Sequence, residues 1–383
     1  MLPTPHQHAW MTEDIDMVRE QARRFIGAEM VPQLDAWRQA GRSDPAAWQA
    51  LGALGLLLPE IPEAYGGAGA TLAHQFVVQD ELARAEVNTG TAPVHTIAAH
   101  YILDSGTEAQ KQRWLPKLAS GEWLAAIAMT EPGAGSDLQA IRTRAVRDGD
   151  HYVINGAKTF ITGGHNASLV VVVAKTDPAQ GARGVSLFVV ETKNQPGFRV
   201  ARLLDKMGMK ASDTAELFFD DMRVPVANLL GEVEGQGFFQ LMTQLPFERS
   251  LVAATSVAVT ERALELTLEY TKERKAFGQT VFDFQNTQFK LAEVATIVHV
   301  MRCFLNDCIQ RLLDGKLEAE AAYMAKWWCS EQQCKALDEC LQFFGGFGYM
   351  NEYAIARMYA DARVQKIYGG ANEIMKGLIA RKL

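Results

Sequence analysis

The spacing of apolar residues changes twice along this 383-residue chain, and that double change limits its folds more than any other feature. After Thr12, the residues Ile15, Val18, Ala22, Phe25, Ile26 and Met30 recur at helical spacing. Glu13 and Asp14 stand in the first turn, where the helix dipole favours them. Trp48 to Leu58 predicts a second helix, ended by the loop Pro59 to Ala70, whose Gly66-Gly67-Ala68-Gly69 forbids regular structure. Helices over Thr71 to Ala85, Ala92 to Ser105 and Glu108 to Ser120 follow, so the chain reads as all-α to about residue 122.

At Trp123 the pattern becomes short segments rich in Val, Ile, Thr and Phe, with turn residues between them. These are Ile141 to Val146, the turn Asp148-Gly149-Asp150, His151 to Asn155, Phe160 to Thr162, Leu169 to Lys175, Val185 to Glu191, Phe198 to Leu203 and Glu216 to Phe219. Their spacing predicts an antiparallel sheet, with Gly231 to Gly237 as a linker. From Phe238 the helical period returns over Phe238 to Lys275, Asn286 to Leu313, Leu317 to Leu341 and Glu352 to Tyr368, with a short helix near the end. Long helices with short connections predict a bundle. A chain this long exceeds one core. The fold class is therefore α+β, with an N-terminal α-helical domain (1–122), a central antiparallel β domain (123–235) and a C-terminal four-helix bundle (236–383).

A formal net charge of −7 argues against a nucleic-acid surface, while leaving room for a local basic pocket that holds phosphates. No apolar run approaches the roughly 20 residues of a membrane span. The longest, Leu169 to Ala174, is strand-sized. Pro3, Pro5 and His6 lead into an acidic helix start without a signal or transit pattern, so a cytoplasmic location is expected. Cys303, Cys308, Cys329, Cys334 and Cys340 are odd in number and spaced by five or six, which predicts buried free thiols rather than disulfides or zinc ligands. His95 and His100 are one residue too far apart for a helical metal pair, and no metal is expected.

Candidate chemistry concentrates in glycine-rich turns. AMTEPGAGSD, Ala128 to Asp137, places Thr130 and Ser136 around Pro132, Gly133 and Gly135 at the end of an apolar run. Such a turn either caps itself through Ser and Asp side chains or presents free N–H groups to a carbonyl-rich or anionic ligand. Further glycine pairs follow Gln342 (Gly345-Gly346) and precede Asn372 (Gly369-Gly370). No complete G-x-G-x-x-G or P-loop is present, which argues against a Rossmann nicotinamide site. Three such turns over two domains suggest a long ligand lying across a domain junction.

AMTEPGAGSD and QFFGGFGYMNEYAIARMYAD (Gln342 to Asp361) resemble the two signature stretches of the acyl-CoA dehydrogenase family. The resemblance covers essentially the whole chain, including KMGMKASDTAELFFDDMRVP (Lys206 to Pro225), RKAFG (Arg274 to Gly278) and IYGGANEIM (Ile367 to Met375). It implies an FAD enzyme of fatty-acid β-oxidation that removes hydrogens from the α and β carbons of an acyl-CoA thioester. An electron-transfer flavoprotein would be the acceptor and a homotetramer the assembly. By similarity, Met129, Thr130, Gly135 and Ser136 would line the flavin, with Ser136 also on the CoA side. Phe160, where the family often has Trp, and Thr162 would lie against the isoalloxazine. Arg274, Phe277, Gln285, Gln342, Gly345 and Gly346 would hold the pyrophosphate and adenosine end, partly across a subunit interface. Asn372 and Glu373 would lie near the flavin ribose. Ala371 stands where Thr or Ser is usual, which removes one hydroxyl contact.

The base is the informative departure. The family commonly has Glu directly after the Tyr of the C-terminal motif; here Tyr368 is followed by Gly369. LPFERS supplies Glu248 beside Arg249 instead. Taken alone, Glu248 reads equally as a base or as one half of a salt bridge. Glu248 with Gly369 is similar to the arrangement of the long-chain and isovaleryl types, the long-chain type most. Arg249, Tyr368 and Gly369 would then contact substrate, with the Gly369 amide as a donor to the enolate. The chemistry needs a base stronger than free Glu, which burial provides. An oxygen-reducing acyl-CoA oxidase and a catalytically silent flavin-bearing binding protein are the alternative readings.

Overall fold

Each change of apolar period coincides with a change of secondary structure in the computed structural model, which describes residues 8–383. Pro3, Pro5 and His6 lie outside those residues. The first segment contains α1 (Glu13–Phe25), a π-helical turn (Ile26–Met30), α2 (Leu34–Ala40), α3 (Pro45–Ala53), α4 (Leu72–Arg84), α5 (Thr91–Ser105) and α6 (Glu108–Ala119). Helix α3 starts three residues before the expected Trp48 because the Asp44 side chain caps the Ala46 amide and Pro45 presets the first turn. It stops before Leu58 because Gly55 turns the chain with φ +70°.

The second segment holds β1 (Ala125–Ala128), β2 (Arg144–Asp148), β3 (His151–Thr162), β4 (Leu169–Lys175), β5 (Val185–Glu191), β6 (Phe198–Leu203) and β7 (Thr214–Pro225). The sheet is mixed rather than antiparallel throughout. β1 runs parallel to β4, from Ala125 opposite Leu169 to Ala128 opposite Val172, and β2 meets β4 in parallel at Arg144 and Lys175. Strand direction leaves no trace in a period of two. The unbroken apolar run of β4 is the sequence counterpart of burial on both faces. Leu169, Val171 and Val173 join a core shared with the N-terminal helices, while Val170, Val172 and Ala174 join a second core with Ile154, Leu217 and Phe219. The two expected segments His151 to Asn155 and Phe160 to Thr162 form one strand, because register shifts after Ile154 and Lys158 hide its alternation.

The third segment comprises α7 (Gly237–Glu273), a hairpin of β8 (Lys275–Ala276) and β9 (Gln279–Thr280), α8 (Gln285–Leu313), α9 (Ala319–Phe343), α10 (Ala354–Ala362) and α11 (Asn372–Ala380). Three long helices form the bundle. The expected helix Glu352 to Tyr368 is shortened to α10 and a 3-10 turn, and α11 follows the glycine pair 369–370. Helix α7 packs against α4, α5, α8 and α9, so it joins the outer helical segments. Arg302 of α8 braces that junction, donating to Asp80 of α4 at 2.8 Å and to Glu261 of α7 at 2.6 Å.

Among the described residues no helix is long and apolar enough to cross a membrane. All five cysteines are free; Cys308, Cys329 and Cys340 are buried, but Cys334 is half-buried and Cys303 is exposed on α8, a correction to the expectation that all would be buried.

The sheet segment also docks on the bundle through the loop before β7. The Asp361 carboxylate of α10 accepts the Met209 amide. A Cβ on Gly208 would lie 2.6 Å from the Ala360 carbonyl oxygen, so only glycine permits this approach. Gly208→Ala should lower the stability to urea by about 2 kcal/mol through that overlap. An unchanged unfolding midpoint would show that the loop does not dock there.

Candidate active site

Pro246 lies inside α7 and cannot return a backbone hydrogen bond to Met242, a local break two residues before Glu248. Successive side chains on a helix diverge by about 100°. Glu248 and Arg249, both buried, therefore address different neighbours. Glu248 turns to α5, where the buried Tyr101 hydroxyl donates to its Oε1. No ion pair joins Glu248 to Arg249 among the described residues, which removes the salt-bridge reading. Burial lifts the Glu248 carboxyl to about 7, against the opposing pull of the Tyr101 hydroxyl and the Arg249 charge.

Arg249 faces α9 and the C-terminal turn. Its guanidinium carbon lies 4.4 Å from the Tyr323 ring centre, and its Nε donates to the Gly369 carbonyl at 3.3 Å. Its Nη1 is buried with no protein partner. Gly369 and Gly370 take φ +63° and +94°, a reversal that side chains disfavour. Lys326 of α9, fully buried, holds that reversal from the other side. Its Nζ donates to the Gly370 carbonyl at 2.7 Å and to Asn372 Oδ1 at 2.9 Å. Burial, aided by the Arg249 charge, pushes the Lys326 ammonium down to about 7. The Gly369 amide donates to no backbone or side-chain group among the described residues. Tyr368 is half-buried, its phenol pushed up by burial and the nearby Asp361 charge.

The turn 129–136 is built onto β3. Glu131 and Ala134 exchange backbone hydrogen bonds at 2.9 and 3.1 Å, closing the hairpin over Pro132 and Gly133. The Glu131 carboxylate accepts the Arg142 and Thr143 amides and, at 2.9 Å, the buried Lys158 ammonium. Lys158 also reaches the Met129 carbonyl at 2.8 Å, and the Thr159 amide reaches the Thr130 carbonyl at 2.9 Å. Met129 and Thr130 are thus fixed through their backbones. Gly135 and Ser136 are exposed, and their amides have no partner among the described residues. Phe160, directly after this staple, is 67% exposed with φ +59°. A bulky residue in the left-handed region is strained. The ring is not part of the sheet core, and it points outward one residue after the Thr159–Thr130 contact. Thr162 is half-buried, its methyl facing Gly90, where a Cβ would come within 2.8 Å. Gly90 begins α5, and Tyr101 lies eleven residues on, about 16 Å along the helix. One helix therefore links the Phe160 end of β3 to Glu248.

A third group lies at the far end of the bundle. The Tyr270 ring stacks on Phe344 at 4.3 Å, setting the end of α7 beside the turn after α9. Arg274, Phe277 and Gln285 are exposed at one side of this stack, and Gln342, Gly345 and Gly346 at the other. The Arg274 guanidinium has no partner among the described residues, and Phe277 is 97% exposed at the β8–β9 turn. The Phe277 ring meets Phe284 edge-on at 6.3 Å and leaves its other side open. A free cation beside an exposed aromatic suits an anionic ligand with a planar end. Glu373 is exposed in the first turn of α11. Asn372 departs from expectation. It is buried, its oxygen accepts Lys326 and Ser330, and its nitrogen donates to the Trp327 carbonyl and Ser330. Its side chain ties the glycine turn to α9 and is not available to a cofactor.

The residues that reading the sequence missed are the supports, Tyr101, Lys158 and Lys326. A lysine inside the apolar run AAYMAKWWC was the visible signal for Lys326. Tyr101 gave none, being one more apolar position of α5.

The sequence matches family models for the acyl-CoA dehydrogenase N-terminal domain over residues 12–122, the middle domain over 126–222 and the C-terminal domain over 235–383. It is 46% identical over 371 residues to the mitochondrial long-chain specific acyl-CoA dehydrogenase of Sus scrofa, covering 96% of this chain and 86% of that one. An acyl-CoA dehydrogenase of Bacillus subtilis is 37% identical over 97% of this chain and 98% of its own length. A solved acyl-CoA dehydrogenase from Geobacillus kaustophilus superposes with a TM-score of 0.96 at 45% identity, over 98% of this chain and 99% of that one.

The Glu131–Lys158 pair yields a direct test of the turn. Lys158→Met leaves a buried carboxylate without its counter-charge, so unfolding stability should fall by about 3 kcal/mol. The double variant Glu131→Gln/Lys158→Met should recover part of that loss. Equal stability of Lys158→Met and the parent in urea would contradict the stapled turn.

Proposed function

The chain belongs to the acyl-CoA dehydrogenase family, and on that footing we propose that it is an FAD-dependent fatty acyl-CoA dehydrogenase in which Glu248 is the base. The observation that carries this reading is the buried carboxylate of Glu248, one helix turn before Val252, whose side chain lies against a glycine turn with a free amide. A carboxyl at about 7 holds roughly equal acid and base forms at neutral pH. It is a far better acceptor for the α-proton of a thioester than a free Glu.

The remaining groups share the work. The Gly369 amide donates to the thioester carbonyl and stabilises the enolate as the proton leaves; one such donor contributes about 3–4 kcal/mol. Arg249 and Lys326 hold the Gly369 and Gly370 carbonyls that follow that amide, so it is oriented before substrate arrives. Tyr368 packs beside it.

The residues present fit FAD. Phe160 offers a flat apolar face, with Thr162 on the same strand. The Gly135 and Ser136 amides, with Met129 and Thr130 behind them, offer donors to the polar edge of a ring system and to the CoA side of the substrate. Arg274, with Phe277, Gln285, Gln342, Gly345 and Gly346 around it, offers a cation for a pyrophosphate. Their exposure in the single chain suits a site completed by another subunit of a homotetramer. FAD bound there supplies the acceptor for the two electrons and the hydrogen released from the β carbon. An electron-transfer flavoprotein then serves as the external acceptor, and the reaction is the first oxidation of fatty-acid β-oxidation in a cytoplasmic setting.

Anaerobic mixing of the flavin-loaded protein with saturated acyl-CoAs of graded length tests the reading. The wild type should bleach with at least one chain length. Glu248→Gln should bind the same acyl-CoA while bleaching at least about 1,000-fold more slowly, as loss of a general base dictates. Bleaching at the wild-type rate in Glu248→Gln would remove this residue from its role.

A further inference from the structure

Tyr101 is wholly buried, and its hydroxyl crosses the boundary between the N-terminal helices and the bundle to donate to Glu248. No other side chain among the described residues donates to that carboxylate. Of the neighbouring buried positions of α5, Ile97, Ala98, Ala99 and Ile102 are apolar, while Thr96 is bonded to Gln75 and His100 to Glu60, so none of them is a partner for the Tyr101 hydroxyl. A buried hydroxyl without a partner is costly, and here the base is its partner.

We propose that Tyr101 is the positioning residue of the base: its hydroxyl fixes the orientation of Glu248 and favours its ionised form. The proposal rests on the reading of Glu248 as base.

The surroundings isolate this contact. On α7 the adjacent charge is Arg249, directed to Gly369 and Tyr323. On α5, His100 is bonded to Glu60 and Asp104 to Gln244. On α9, Lys326 is bonded to the Gly370 carbonyl and Asn372. On α4 and α8, Asp80 and Arg302 are bonded to each other, and Glu81 is bonded to Arg23. The Tyr101 phenol is itself pushed well up by burial and by Glu248, so it remains a donor across the working pH range.

The sign follows from which form the hydroxyl serves. A donor to a carboxylate stabilises the charged form. Removing it leaves Glu248 in a more apolar pocket, so the carboxyl holds its proton to higher pH. In Tyr101→Phe, the midpoint of the pH dependence of single-turnover bleaching should move up by about one pH unit. Bleaching at pH 6 should slow by about tenfold, while rates above pH 9 and the KM for acyl-CoA should stay within about threefold of wild type. A purely structural role would lower the rate equally at all pH. Incorporating 3,5-difluorotyrosine at position 101 strengthens the donor and should move the midpoint down, which decides the matter if Tyr101→Phe does not fold. A midpoint that stays in place in a folded, flavin-loaded variant overturns the proposal. Glu248→Gln separates the two failures. If it is silent while the Tyr101 variants leave the midpoint in place, only the role of Tyr101 falls. If it bleaches normally, the base assignment falls with it.

Discussion

Burial of one carboxylate between α5 and α7 is the constraint on which the site depends. Moving a Glu carboxyl from its ordinary 4.5 to about 7 corresponds to roughly 3 kcal/mol against the charged form. That cost must be met by packing elsewhere. The N-terminal helices supply it by closing over α7, with α4 and α5 both against that helix. The Asp80–Arg302–Glu261 contacts brace the same closure, so the dry environment of Glu248 is a property of the joined segments and not of α7 alone.

The glycine turn at 369–370 is the counterpart of that burial. A side chain at Gly369 would come against Val252 and Lys326. Its absence leaves the backbone amide free of any partner among the described residues. Two buried cations, Arg249 and Lys326, grip the carbonyls of this turn, and Asn372 completes the tie. The other binding surface is organised in the opposite sense. Glu131 and Lys158 lie under the turn 129–136 and leave Gly135, Ser136 and Phe160 facing out. In both places the charged side chains are inside and backbone amides are left without partners among the described residues.

Much of this was legible in the sequence, because apolar period survives burial. The changes at Trp123 and Phe238 fall at the ends of the helical and sheet segments, and strands β4, β5 and β6 run over the residues that alternation and turn chemistry mark. Glu248 and Gly369 stood out only jointly, through a resemblance, since neither residue type is diagnostic alone. Other features left no periodic trace. The parallel pairing of β1 with β4 depends on strand direction, and the bulges of β3 replace alternation with irregularity. Asn372 was assigned to a cofactor because nothing local shows which way a side chain after two positive-φ glycines points; it points into α9. Tyr101 and Lys326 act across distances of 147 and 44 residues, which only the fold brings together.

The site turns on the protonation of a single group, which can be observed without turnover. Difference infrared spectra of wild type minus Glu248→Gln isolate the carbonyl stretch of the protonated Glu248 carboxyl across a pH series. Appearance of that band with a midpoint near 7 is the result the burial predicts. A midpoint near 4.5, the ordinary value for Glu, would show a solvated carboxylate and contradict the central claim.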